Sequence, residues 1–166
     1  MRRAMGRVIL TGLVWLLVAG GSGAEPLYEG PPPAHPNVDG FYRYMALLGH
    51  HRLDEAFQYR VGVTREAFLR QARAEWQDYR ELFERAGFTF LGWNVRALDF
   101  SEDVGGNTYI RMIQIFRLRK EDRLVLRHVG FLFRVTFSNQ KIYTVDPYRG
   151  EVLREEQRPL PTAEGR

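Results

Sequence analysis

Residue types suited to acid–base chemistry occur in the second half of the chain. Asp99 stands near the end of a predicted strand, where a carboxylate can act as a general base. Tyr109, His128 and Arg134 are able to polarise a carbonyl group. However, Asp99 adjoins an acidic turn typical of a solvated rim, and the predicted register places the other three on the outer face of the sheet. We therefore assign no catalytic residue and expect a non-catalytic protein, with an enzyme as the alternative.

A second set of residues suggests a ligand pocket. Gln114 and Arg127 are polar exceptions on the strand face that should meet the helices, and buried polar groups need partners. They are able to orient a small apolar ligand, with Tyr44 and Trp93 as walls. Asp146 joins them if the last hairpin has an even loop. In the alternative interpretation, Arg127 extends to solvent and Gln114 bonds to a helix.

Metal and cofactor chemistry is not indicated. The chain has no Cys, which excludes disulfides, thiol catalysis and thiolate metal sites. His50 and His51 are adjacent, and adjacent side chains diverge on a regular backbone. Gly105 and Gly106 join two predicted strands, with no helix N-terminus to bind a phosphate. We therefore expect neither a metal nor a cofactor.

The charge of the chain argues against a nucleic-acid partner. The 166 residues carry 24 Lys+Arg against 20 Asp+Glu, a formal charge of +4. Arg2, Arg3 and Arg7 lie in the first 24 residues, and removing these three charges from +4 leaves a body of +1. A body this close to neutral is not typical of a polyanion binder.

The ends of the chain have compositions of their own. Residues 1–24 combine basic residues, an apolar run and a small-residue end, which is typical of a secretory signal peptide cleaved before Glu25. An uncleaved anchor is the alternative, although the apolar run is short for a span and no second one follows. We expect a periplasmic or extracellular protein with no membrane span in the mature chain. Residues 25–38 predict a Pro-rich tether, and residues 154–166 a disordered tail.

The first half of the body predicts helices. Asp39 is a candidate N-cap for a helix that ends at Gly49, and residues 52–59 predict a second, short helix. Thr64 is a candidate N-cap for a third, long helix that ends before Gly87. Its predicted apolar stripe comprises Phe68, Ala72, Trp76, Tyr79, Leu82, Phe83 and Ala86.

The second half predicts four strands, over residues 88–100, 107–119, 123–137 and 141–148. Short connections make neighbouring strands antiparallel, so the sheet is a meander. If Glu121 and Asp122 form the second turn, one face of the hairpin is nearly all apolar and the other carries arginines. In the last hairpin an odd loop buries Tyr143 and Val145, and we prefer it to an even loop. The predicted fold is α+β, with two short helices and one long helix on the concave face of a curved four-stranded sheet.

A family resemblance supports this fold. The helix that ends at Gly49 is followed by Leu53-Asp54-Glu55-Ala56-Phe57, which resembles the opening of nuclear-transport-factor-2-like domains, the superfamily that includes SnoaL-like and cystatin-like cones. The resemblance covers residues 41–153, and we predict a domain over residues 39–153. It implies a sheet bent around the long helix, often with a pocket at the open end and often dimeric. The family includes isomerases, cyclases and proteins without catalysis, so the resemblance does not define a function.

The outer face of the predicted sheet suggests an interaction surface. It mixes arginines with Ile113, Ile115, Leu124, Leu126 and Leu132, a composition typical of protein interfaces. We therefore expect a homodimer or an envelope partner at a surface that includes Arg111, Ile113, Ile115, Leu126 and Leu132. The alternatives are that arginine stems cover these side chains, and that the protein is a carrier or an isomerase-like enzyme acting through the pocket.

Overall fold

The computed structural model describes residues 27–30 and 33–160. The predicted signal peptide, parts of the predicted tether and residues 161–166 lie outside the described residues. The described part of the chain forms three helices followed by four strands: α1 (Pro36–Gly49), α2 (Leu53–Phe57), α3 (Arg65–Arg85), β1 (Thr89–Glu102), β2 (Thr108–Lys120), β3 (Arg123–Ser138) and β4 (Lys141–Pro159).

The helix α1 begins earlier than predicted. Pro36 occupies the first helical position, where a missing backbone N–H costs no hydrogen bond. The expectation of a tether up to residue 38 is therefore wrong for residues 36–38. Asp39 lies in the first turn instead of capping the helix, and its carboxylate accepts hydrogen bonds from the Tyr28 hydroxyl and from Arg43 Nε.

The part of the predicted tether that precedes α1 also contacts the domain. Glu29 forms a parallel bridge with Arg96 at the free edge of β1. Its amide donates to the Val95 carbonyl at 2.8 Å, and its carbonyl accepts from the Ala97 amide at 2.8 Å. The segment 27–30 therefore covers part of a sheet edge that would otherwise present unpaired backbone groups.

The long helix α3 follows its sequence signals closely. Thr64 Oγ1 accepts a hydrogen bond from the Ala67 amide at 3.2 Å, which confirms the predicted N-cap. Phe68, Ala72 and Phe83 are buried on the predicted stripe. Leu82 is 60 % exposed, so the prediction that the stripe is buried there is wrong.

The four strands form one antiparallel sheet in the order β1-β2-β3-β4. The sheet is open and curled, and the helices pack against its concave face, which confirms the predicted α+β fold. The predicted register between β2 and β3 is also confirmed, since Gln114 lies opposite Val129 and Phe116 opposite Arg127. This register buries the apolar face and leaves the arginine face outside.

A bulge in β1 changes which residues reach the core. The β1–β2 register shifts between Phe90 and Trp93, at Gly92, whose φ is +100°. Both aromatic side chains are buried as a result, although strict alternation would place residues three apart on opposite faces. The bulge therefore lets β1 contribute Trp93 to the region where the sheet faces α1 and α3.

The last hairpin has an even loop, contrary to the preferred odd one. Ser138 lies opposite Lys141 across a two-residue turn, and the register then shifts so that Thr136 lies opposite Thr144. The shift leaves Tyr143 53 % exposed, whereas Val145 is partly buried against the core. A single extra residue in β4 therefore gives the inner position to Val145 and not to Thr144.

The strand β4 is much longer than predicted. It continues to Pro159, which lies opposite Arg123, so the expectation of a disordered tail is wrong for residues 154–159. Glu155 lies opposite Arg127 and accepts a hydrogen bond from its Nε at 3.0 Å. Cross-strand pairs of opposite charge support strand pairing even where few side chains are apolar.

Within residues 27–30 and 33–160, no helix is both long and apolar enough to cross a membrane.

Candidate ligand cavity

A cavity of about 400 Å³ lies between the helices and the concave face of the sheet. A volume of this size is typical of small-molecule sites. Its walls come from α1, α3, all four strands and Arg60 in the connection after α2. Aromatic side chains form much of the lining: Tyr44, Phe68, Tyr79, Trp93, Phe131 and Phe133.

Three of the predicted pocket residues meet at this cavity. Tyr44, Trp93 and Gln114 all line it, from α1, β1 and β2 respectively. The Trp93 indole Nε1 donates to the Met45 carbonyl at 3.0 Å, which fixes the ring against α1. The curvature of the sheet around α3 brings these side chains together, although Tyr44 and Trp93 lie 49 residues apart in the chain.

Gln114 is a buried polar residue of the cavity wall. Its side chain is 2 % exposed and lies among apolar residues of β2 and its neighbours. Within the described residues, its amide group forms no hydrogen bond, so the alternative in which it bonds to a helix does not occur. Its amide lies in the cavity wall, where it can form a hydrogen bond with a ligand that carries a matching polar group.

Two of the predicted pocket residues lie elsewhere. The Arg127 guanidinium lies over the rings of Phe83 and Phe88 and pairs with Glu155, because it stands near the end of the hairpin and reaches outward. Asp146 pairs with Arg134 at 3.0 Å, because the β4 bulge turns it to the outer face. The prediction that these two residues line the pocket is therefore wrong.

Glu75 is a cavity residue outside the apolar stripe that was predicted for α3. It lies four residues before Tyr79, at the border of the apolar stripe. Its side chain stays accessible at the cavity mouth, yet surrounding protein partly desolvates it, which raises the pKa of its carboxyl group. A hydrogen bond from Gln71 Nε2 at 3.3 Å and the charge of Arg60 lower that pKa, but less than desolvation raises it.

Arg60 and Tyr44 form a polar pair in the cavity wall. Arg60 Nη1 donates to the Tyr44 hydroxyl at 3.3 Å, and its guanidinium lies 5.8 Å from the centre of the Tyr44 ring. Its Nη2 donates to the Tyr143 carbonyl at 3.3 Å. Burial raises the pKa of the Tyr44 hydroxyl, which therefore stays protonated. Arg60 could not be identified from the sequence, because it lies in a connection without periodicity.

The residues considered for acid–base chemistry do not meet at the cavity. Asp99 accepts two hydrogen bonds from Arg111, at 2.6 and 2.5 Å, and the pKa of its carboxyl group is lowered by them. Tyr109 packs edge-on against Tyr148. Arg134 pairs with Asp146 on the outer face. A carboxylate held by an arginine is a weak base, so this set has the properties of surface ion pairs.

The adjacent histidines diverge as expected. His50 Nε2 lies 3.0 Å from Asn94 Oδ1, whereas the His51 ring packs on Trp76 with 4.6 Å between ring centres. Both residues therefore support the junction between α1, α3 and β1.

The aliphatic side chains on the outer face of the sheet are less exposed than the sequence suggests. Ile115 is 4 % exposed, and Ile113, Leu126 and Leu132 are half-buried. Several ion pairs lie on this face: Arg96–Glu29, Arg111–Asp99, Arg134–Asp146 and Arg154–Glu156. The burial of these side chains shows that one chain covers them in part, and cover by arginine stems stays a prediction. The predicted interface at Arg111 and these aliphatic residues stays a prediction.

His128 is buried under this ion-pair layer. Its side chain is 3 % exposed, Nε2 lies 3.5 Å from Glu156 Oε1, and neither ring nitrogen forms a hydrogen bond within the described residues. Desolvation, followed by the charge of Arg154, lowers the pKa of His128 below the ordinary 6.5. The folded chain therefore binds a proton at this site less readily than the unfolded chain does.

We expect this histidine to make folding stability depend on pH. As pH falls below about 6.5, His128 becomes protonated in the unfolded chain but stays neutral in the folded chain. The free energy of unfolding therefore decreases. Urea titrations at pH 7.5 and pH 5.5 measure the loss. The variant His128→Leu should lose less stability over this interval than the parent chain. Equal losses in the two proteins would show that His128 does not contribute.

Comparisons with models of known protein families, with curated proteins and with solved structures gave no match to this chain. The nuclear-transport-factor-2-like resemblance therefore stays a prediction from the sequence.

Proposed function

We propose that this protein binds a small, mainly apolar molecule in the cavity between α3 and the sheet. The observation that carries this proposal is the Gln114 amide, buried in a cavity wall and without a hydrogen bond in the described part of the chain. The ligand would carry at least one group able to donate to or accept from this amide. Ligand sites commonly combine apolar walls with a few polar groups that fix orientation.

The fold and the expected export signal support a broader proposal about the class and location of the protein. The chain is an exported α+β cone domain similar to nuclear-transport-factor-2-like proteins, and it acts outside the cytoplasm. The support consists of the sequence of residues 1–24, the resemblance over residues 41–153 and the curled sheet around α3. A carrier of an apolar molecule needs only the cavity.

Acid–base catalysis is a second candidate function, favoured by Glu75. A carboxyl group inside a ligand cavity with a raised pKa has the property expected of a general acid or base near neutral pH. In an enzyme of this kind, Gln114 would orient the substrate and Glu75 would exchange a proton with it.

Self-association through the outer face, the first expectation from the sequence, stays a proposal beside ligand binding. Because Ile115 is buried within a single chain, replacing it would disturb folding. Arg111 is exposed, so Arg111→Glu is the better probe of that surface.

The variant Gln114→Leu tests ligand binding. We expect the neutral, carbonyl-containing dye prodan to bind saturably with a blue shift in its emission, and Gln114→Leu to weaken binding about tenfold through loss of a hydrogen bond. The same variant should change the free energy of unfolding little, since it removes no hydrogen bond within the described residues and keeps an apolar side chain of similar size. A purely structural Gln114 would instead give a less stable protein.

The matched control is Gln77→Leu, an exposed position on α3 outside the cavity. It should change neither prodan binding nor the position of the emission maximum. Prodan binding that is equally strong in the parent, Gln114→Leu and Gln77→Leu proteins would contradict the proposal.

A further inference from the structure

The charged side chains that line the cavity include more carboxylates than basic groups. The cavity lining includes the carboxylates of Glu75 and Asp78 on α3 and one guanidinium, that of Arg60. Within residues 27–30 and 33–160, neither carboxylate lies within ion-pair distance of a basic side chain. The nearby charge of Asp78 adds to the desolvation that raises the pKa of Glu75. Protein groups therefore leave negative charge at the cavity mouth without full compensation.

Arg60 is already engaged by the cavity wall. Its guanidinium lies over the Tyr44 ring and donates to the Tyr44 hydroxyl and to the Tyr143 carbonyl. These contacts hold the cation against the wall where α1 meets β4. They also show that an aromatic face of this cavity accommodates a positive charge.

The remaining aromatic faces have the same preference. An aromatic ring presents negative charge on its face, so it attracts a cation and repels an anion. Tyr79, Trp93 and Phe131 line the cavity beside the α3 carboxylates. Rings with adjacent carboxylates form the chemical environment that binds quaternary ammonium groups and protonated amines. Gln114, buried in the same cavity, is left to bind a polar group on the body of the ligand.

We propose that the ligand is an organic cation, an apolar body that carries a quaternary ammonium or protonated amine group beside Glu75 and the aromatic rings. This inference rests on the proposed ligand-binding function and specifies the chemical class of the ligand. The charge lies at the mouth of the cavity, where Glu75 and Asp78 stand, and the apolar body extends toward Trp93 and Gln114.

Displacement of bound prodan compares three probes of similar size and different charge: phenyltrimethylammonium, its neutral isostere tert-butylbenzene, and benzoate. We expect phenyltrimethylammonium to bind about tenfold more tightly than tert-butylbenzene, through the carboxylate and the ring faces. Benzoate should bind more weakly than either, because the carboxylates and the ring faces repel it. Equal affinity for the cation and its isostere, or tighter binding of benzoate through Arg60, would overturn the proposal.

The variant Glu75→Gln distinguishes the effect of the Glu75 charge from the effect of cavity shape. It should reduce the affinity for phenyltrimethylammonium about tenfold and leave the affinity for tert-butylbenzene unchanged. Glu84→Gln, at an exposed position on the same helix outside the cavity, should change neither affinity. An equal loss for both probes in Glu75→Gln would indicate a change in cavity shape and contradict a charge-based site.

The assay distinguishes the two proposals. If prodan and tert-butylbenzene bind but the cation has no advantage, the ligand class is wrong and the binding cavity stands. If prodan itself does not bind, the proposed function fails together with the ligand class.

Discussion

The variant Phe116→Ala should lower the free energy of unfolding by about 4 kcal/mol, the range found when a buried phenylalanine is truncated. Phe116 is 3 % exposed on β2. Its ring centre lies 5.1 Å from that of Tyr79, 5.2 Å from that of Phe83 and 6.1 Å from that of Trp93. Truncation removes apolar burial and leaves a void that these rings cannot close without moving.

The control for this prediction is Phe100→Ala. Phe100 is 36 % exposed near the end of β1, with an edge contact to His35 at 5.4 Å between ring centres. We expect a loss below about 1 kcal/mol for it, because a half-exposed ring leaves no closed cavity. Urea unfolding followed by circular dichroism measures both variants. Similar losses in both would mean that the aromatic cluster is not the centre of the core.

The second large effect is expected at a glycine. Gly49→Ala should cost about 3 kcal/mol, because a Cβ there would lie 2.2 Å from the Trp93 carbonyl oxygen and 2.6 Å from Trp93 Cδ1. The obstacle is backbone, so either α1 or β1 must shift. Since Trp93 lines the cavity, the shift should also weaken prodan binding.

A glycine in the same helix supplies the control. A Cβ at Gly40 would lie 3.5 Å from Tyr59 Cδ1, an ordinary contact. Gly40→Ala should therefore gain up to about 1 kcal/mol from helix propensity. Thermal unfolding of the two variants gives the comparison, and a stable Gly49→Ala protein would contradict the close approach of α1 to β1.

Periodicity predicted the helices and the central hairpin because these elements obey one repeat throughout. The residues of β2 and β3 alternate without interruption, so one apolar face defines the pairing of Gln114 with Val129. The bulges at Gly92 and Tyr143 each insert one residue and reverse the alternation beyond it. The prediction that Asp146 lines the pocket was wrong for this reason.

The cavity was predictable only in part. Gln114 was identified because a polar residue on an apolar strand face is visible in sequence, and Tyr44 and Trp93 were predicted as walls beside it. Glu75 was missed because a residue at the border of a helix stripe faces either solvent or a cavity, depending on how far the sheet curls. The extension of β4 was missed because cross-strand ion pairs such as Arg127–Glu155 carry no apolar pattern.

The most direct test of the binding cavity is a nuclear magnetic resonance titration of the labelled protein with prodan. We expect saturable shifts in the side-chain amide of Gln114 and the indole N–H of Trp93, with less change at the side-chain methyl groups of Ile113 and Leu132 on the outer face. Shifts confined to the outer face, or no saturable shift at Gln114 and Trp93, would contradict a ligand site between α3 and the sheet.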